Sequence, residues 1–218
     1  MRHVRKVLFL TVMLLVVAAT ALAELPVNGT IGLYLDDSDG NDLSRAGVVK
    51  QGEPFELVVK MNSGTQPDAV IFQITELNLL YPGVFKTSTW RYNDSFMTLG
   101  QEDIGEYVFA FMECAPEGEL EILRVGYNHV SGDFPNDIPL YIGGSPNTEL
   151  HLPALEGAPG YVSCDHEGWA LAPEPWDDDS YDPTTIAGVT ETGGLLVLNP
   201  SHMVPIGSAT VSTLKAKF

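Results

Sequence analysis

Along much of this chain apolar and polar residues alternate with a period of two, in short runs broken by Gly, Pro, Asn and Asp. This is the pattern of half-buried β-strands, whose successive side chains point to opposite faces. The clearest run is 55–61, where Phe55, Leu57, Val59 and Met61 share one face and Glu56 and Lys60 the other. Comparable runs occupy 30–35, 69–75, 106–112, 120–125, 139–142, 148–152 and 195–198, making eight in all. No segment beyond residue 23 keeps a helical apolar period for long. Eight short runs with turn signals between them predict a mainly-β chain: one antiparallel, immunoglobulin-like β-sandwich over 24–218, with long loops.

Two stretches interrupt the pattern. Residues 81–101 mix aromatic and polar side chains around Trp90, Tyr92 and Phe96, and read as a long connection or a poorly formed pair of strands. Residues 170–185 are dense in Pro and Asp and read as a surface loop. The tail 211–218 fits either a short helix with Val211, Leu214 and Phe218 on one side or a last edge strand.

The first residues follow the order of a secretory signal. Arg2, Arg5 and Lys6 precede an apolar run over 7–17, and Ala21-Leu22-Ala23 supplies a small-residue cleavage site. The apolar core is short of the roughly 20 residues that span a bilayer, and nothing later would span. The expectation is a cleaved signal peptide over 1–23 and a secreted or periplasmic domain over 24–218.

Charge narrows the partners. The formal net charge is −18, and removing 1–23 takes away three of the 11 Lys and Arg but none of the 29 Asp and Glu. Such a field repels phosphate backbones and anionic lipid, which excludes nucleic acid and leaves a protein or a carbohydrate as partner. Cys114 and Cys164 are the two cysteines, and in an oxidising compartment an even count predicts one disulfide. Neither belongs to a C-x-x-C pair, so a metal site is disfavoured.

A strand that ends in acidic residues at Asp36 precedes a Gly-x-Pro-Phe lead-in to the strand at 52–59, and Val70-Ile71-Phe72-Gln73-Ile74 comes next. This layout resembles cohesin-like and other immunoglobulin-like secreted sandwiches. Segments 157–165, 193–200 and 214–218 also resemble parts of uncharacterised, signal-bearing secreted bacterial proteins, over about the last third of the chain. The resemblance implies the sandwich fold. Cohesins bind dockerin modules through a sheet face, but no residue here matches a motif that would carry that role over.

Two acidic runs are candidate calcium loops. Asp36, Asp37 and Asp39 lie in the first, where Asp37, Asp39 and Gly40 match the third, fifth and sixth positions of an EF-hand. Leu35 and Ala46 then stand where that loop needs carboxylates, so the EF-hand reading fails and a different calcium loop or an Asx turn remains. Trp176 opens the second run, in which Asp177, Asp178, Asp179 and Asp182 put four carboxylates in six positions. That run fits a calcium site, a sugar stacked on Trp176, or a solvated loop whose Trp tucks into the sandwich edge.

Trp90, Trp169 and Trp176, with Tyr92 and Tyr127, make a candidate aromatic platform of the carbohydrate-binding kind, or else core. Catalysis finds little support. His129, His151, His166 and His202 lie in no zinc-protease motif, and no Gly-x-Ser-x-Gly elbow occurs. Acids such as Glu113 and Glu117 are abundant enough to pair by chance. Phe218 faintly resembles the end of an outer-membrane strand, but the long amphipathic strands of a barrel are missing. The expectation is a noncatalytic binding or structural module, with calcium as the one candidate cofactor and carbohydrate binding as the alternative.

Overall fold

The computed structural model describes residues 25–36, 43–94, 97–98, 100–132, 134–145 and 158–202. The expected signal segment over 1–23, Asp37 and Asp39, the expected strand at 148–152 and the tail 203–218 lie outside the described residues.

The strands are β1 (Val27–Asp36), β2 (Ala46–Gly47), β3 (Pro54–Ser63), β4 (Pro67–Ile74), β5 (Val84–Arg91) and β6 (Met97–Thr98). They continue with β7 (Glu106–Ala110), β8 (Gly118–His129), β9 (Ile138–Gly143), β10 (Gly160–Ser163), β11 (Gly168–Pro173) and β12 (Leu195–Leu198). A one-turn helix α1 (Leu77–Leu80) joins β4 to β5. The strands run in one continuous order, β2-β12-β9-β4-β10-β11-β1-β3-β8-β5, with β7 on β4 and β6 on β7.

That ribbon folds over on itself, so the layer β1-β3-β8-β5 faces the layer β12-β9-β4-β7. Ile31, Leu33, Leu57, Val59 and Val125 of the first layer share one core with Phe72, Ile142, Leu196 and Leu198 of the second. The fold is therefore a mainly-β sandwich of the immunoglobulin-like kind. The face expected of the 55–61 run is inward, with Phe55, Leu57, Val59 and Met61 all at 2% exposure or less. Aromatic rings tie neighbouring strands on the core side: Phe55 of β3 stacks on Tyr127 of β8 at 5.6 Å and Phe72 of β4 on Tyr107 of β7 at 5.6 Å.

The pairings are mostly antiparallel, but β1–β11 and β2–β12 are parallel. The described part of the 81–101 stretch is more regular than its sequence suggests. It contains β5, paired with β8 and ending the sheet order, then the short β6. The first part of 170–185 belongs to β11, and the loop begins only after Pro173.

The Cys114–Cys164 disulfide is formed. Ala115 N–H donates to the Pro67 carbonyl at 2.9 Å and Cys164 N–H to that of Gln66 at 3.0 Å. The bridge thus clamps the β7–β8 connection and the β10–β11 turn around the start of β4. Among the described residues no helix is long and apolar enough to cross a membrane.

Candidate functional site

Period-two geometry that turns Leu33 and Leu35 inward turns Tyr34 and Asp36 outward. The register then lines up Tyr34 on β1, Val58 on β3, Arg124 on β8 and Trp90 on β5, one row across the outer face of four strands. Arg124 is fixed in this row by three carboxylates from three strands: Asp36 at 2.7 Å, Glu56 at 2.9 Å and Glu121 at 2.9 Å. The bond it donates to Glu121, helped by those to Glu56 and Asp36, holds the guanidinium charged against the cost of its burial. Beside it Trp90 is 44% exposed and Phe85, on the same edge strand, 54%. Lys86 of that strand turns inward instead, donating to Glu76 at 2.9 Å and to the Tyr107 hydroxyl at 2.8 Å.

The other rim is closed by the strap over 174–182. Arg45, 2% exposed, donates from Nε to the Leu195 carbonyl at 2.9 Å and from Nη2 to that of Glu174 at 3.2 Å. Its guanidinium lies 5.4 Å from the Tyr34 ring centre and 5.7 Å from that of Trp176. Tyr34 donates to the Glu174 carboxylate, and burial followed by that bond pushes its phenol above its ordinary value. Trp176 in turn donates to the carbonyls of Asp178 at 2.8 Å and Tyr181 at 3.1 Å. Its ring packs on the small cluster of Ala46, Tyr181, Leu195 and Val197.

Of the candidate calcium residues, Asp36 lies on the outer face bound to Arg124. Asp178 accepts from the Ser180 N–H at 2.8 Å, and Asp182 accepts from the Thr184 N–H at 3.0 Å and its hydroxyl at 2.7 Å. The Thr184 bonds hold the Asp182 carboxyl below its ordinary range. Among the described residues, the one His, Cys, Asp or Glu trio with ligand atoms within 4.8 Å of one another is Asp68, Cys114 and Cys164, and there the sulfurs are already bonded to each other.

The three tryptophans are not brought together. Trp169 packs against the main core from β11, Trp176 sits under Arg45, and Trp90 lies on β5, with β1, β3 and β8 between β11 and β5. At roughly 4.8 Å per strand, four steps put Trp169 and Trp90 about 19 Å apart along the sheet. Tyr127 is wholly in the core. His129 is buried, with Nε2 at 3.1 Å from the Gly132 carbonyl. His166 holds a left-handed turn position with φ 64°.

Two features escape the sequence. One is Glu76, which is 4% exposed and accepts from Tyr107 at 3.0 Å, Tyr127 at 2.9 Å and Lys86. Burial, and next the Glu76 charge, push both phenols far above their ordinary value. The other is a groove of about 300 Å³ beside it, walled by Ile74, Thr75, Leu79, Leu80, Ile104 and Tyr141. Of Leu-Asn-Leu-Leu at 77–80, only Leu77 is buried.

No protein-family model matches the chain. No curated protein matches it either. Among solved structures, a cohesin module from a Clostridium perfringens family 33 glycoside hydrolase is 13% identical, covering 66% of this chain and 90% of that one, with a TM-score of 0.41. A non-cellulosomal cohesin from Archaeoglobus fulgidus is 10% identical over 65% of this chain and 84% of its own, at 0.42. The seventh ScaB type I cohesin from Pseudobacteroides cellulosolvens is 9% identical over 82% and 94%, at 0.44. The likeness is to a cohesin-like layout of strands, and at these scores it carries no function to this chain.

Proposed function

We propose that this chain is a noncatalytic protein-recognition module that works outside the cytoplasm. The observation that carries the reading is the outer face of β1-β3-β8-β5. Trp90 is left exposed beside an Arg124 already immobilised by three acids, and Phe85 is exposed further along the same edge strand, opposite Asn128. Aromatic and Arg side chains dominate binding energy at protein interfaces, and an arginine ordered in advance loses little freedom on docking. The formed disulfide and the basic-apolar-small order of residues 1–23 support the compartment. The buried acids, by contrast, hold tyrosines, lysine and turns, which are structural tasks.

A sugar reading needs a shared aromatic platform, and the separation of Trp90, Trp169 and Trp176 gives it no support. Calcium has no second observation behind it among the described residues and is left out of the reading. The test is retention of the full chain on a panel of insoluble polysaccharides and on immobilised proteins from the exterior of its source cell. Retention by protein alone is expected. Retention by a polysaccharide, with sugar elution, would replace this reading with the carbohydrate one.

A further inference from the structure

We propose that the groove beside α1 receives a short segment of a partner protein that carries two or three aliphatic side chains flanked by Lys or Arg. This rests on the reading as a protein-recognition module and adds a second contact site, on a different part of the molecule from the Trp90 face.

Ten large apolar side chains are exposed among the described residues, and four of them ring this one groove: Leu79 at 58%, Leu80 at 54%, Ile104 at 39% and Tyr141 at 36%. Single exposed apolar residues are ordinary, but a cluster drawn from three elements is a contact surface. Leu79 and Leu80 come from α1, Ile104 from the turn before β7, and Tyr141 from β9. Leu77, fully buried, anchors the helix and leaves the next leucines outside.

Most of the polar groups of the wall are already used. The Thr75 hydroxyl accepts from Tyr141 N–H at 3.0 Å, Gln73 donates to the Ile104 carbonyl at 3.3 Å, and the Glu76 carboxylate takes Lys86, Tyr107 and Tyr127. A polar small molecule would find few partners to orient it, while aliphatic side chains need none. Acids flank two of the wall residues: Asp103 precedes Ile104 in the chain and is exposed, and Glu191 is near enough to Tyr141 to help burial raise its phenol. Neither acid has an ion pair among the described residues. The cations at hand, Lys86 and Arg91, are bonded to Glu76 and Glu102. In a chain of net charge −18 such acids select basic flanks and repel acidic ones.

The probe is a fluorescein-labelled peptide of Leu and Lys, with two controls: the same Leu pattern with Glu for Lys, and the same Lys pattern with Ser for Leu. Anisotropy is read with the full chain at low and physiological ionic strength. The Leu/Lys peptide should bind, each control about tenfold or more weaker, and Leu79→Ser with Ile104→Ser should weaken it about tenfold at unchanged melting temperature. Asp103→Asn with Glu191→Gln should flatten the salt dependence. Binding that ignores Leu79→Ser with Ile104→Ser, or that the Ser control matches, overturns the proposal. Loss of binding on Trp90→Ala instead moves the peptide to the sheet face, which sinks the groove and leaves the recognition reading standing. Dimerisation that depends on Leu79, or peptide binding that appears only after removal of 203–218, with its Leu214, Lys215 and Lys217, assigns the groove to a second copy or to the chain itself and overturns it too.

Discussion

Arg124 and Trp90 stand directly opposite each other on β8 and β5, so the most immobilised cation of the outer face adjoins its most exposed indole. Arg124→Ala removes the cation that Asp36, Glu56 and Glu121 share. It should lower stability by about 1–2 kcal/mol in a urea titration and cost partner affinity tenfold or more. Trp90→Ala should cost the same affinity and less than about 1 kcal/mol of stability, since the indole is not core.

Glu76→Gln should be among the most damaging polar changes. It keeps the shape but removes the charge that Lys86, Tyr107 and Tyr127 all address from a 4% exposed position. A loss of about 2–4 kcal/mol is expected by denaturant titration. Tyr107→Phe and Tyr127→Phe should cost about 1–2 kcal/mol each.

Alkaline pH provides an independent check on the same network. Burial and the Glu76 charge raise the phenols of Tyr107 and Tyr127, while burial and the Glu174 bond raise Tyr34. In the unfolded chain these groups lose protons near pH 10, and in the native chain they do not. The native state therefore holds more protons above that pH, so its stability is intact below about pH 10 and falls as pH rises past it. Absorbance at the tyrosinate band should show a set of tyrosines that ionise only together with loss of the far-ultraviolet β signal. Smooth ionisation of all tyrosines near pH 10 in a folded chain would contradict the network.

Arg45→Lys should free the strap over 174–182. Lysine keeps the charge but cannot address the Leu195 and Glu174 carbonyls together while lying between Tyr34 and Trp176. A red shift of Trp176 emission and a loss of about 2–4 kcal/mol are expected.

Replacing both Cys114 and Cys164 by Ala should cost about 3–4 kcal/mol, because the bridge closes a separation of 50 residues. Either single substitution should do the same damage. A melting temperature that is insensitive to reductant would count against the clamp on β4.

Much of the sandwich is legible in the sequence, for a physical reason. Where one face is buried, as in β3, the alternation of Phe55, Leu57, Val59 and Met61 is imposed by the pleat. The oxidised cysteine pair is legible from count and compartment. β5 is not, because an edge strand with a single buried residue, Val84, has no face to pattern. β10 and β11 are hidden by small residues and by a four-residue turn between Ser163 and Gly168 that reads as loop.

The candidate site is less legible still. Arg124, Arg45 and Glu76 look like ordinary surface charges until strands 50 to 150 positions away supply their partners. The Asp runs attract attention by density alone, and Asp178 and Asp182 prove to bind their own turns. Composition shows how many carboxylates a chain has, whereas register decides which of them meet.

The central claim is most directly tested by the amide hydrogen exchange of the full chain with and without a protein ligand retained from its source's exterior. Slowed exchange centred on β8 and β5 of the outer face is expected, abolished with Trp90→Ala and Arg124→Ala, with unchanged exchange on polysaccharide addition. Protection centred on the 174–182 strap, or none on the Trp90 strand with ligand bound, would contradict it.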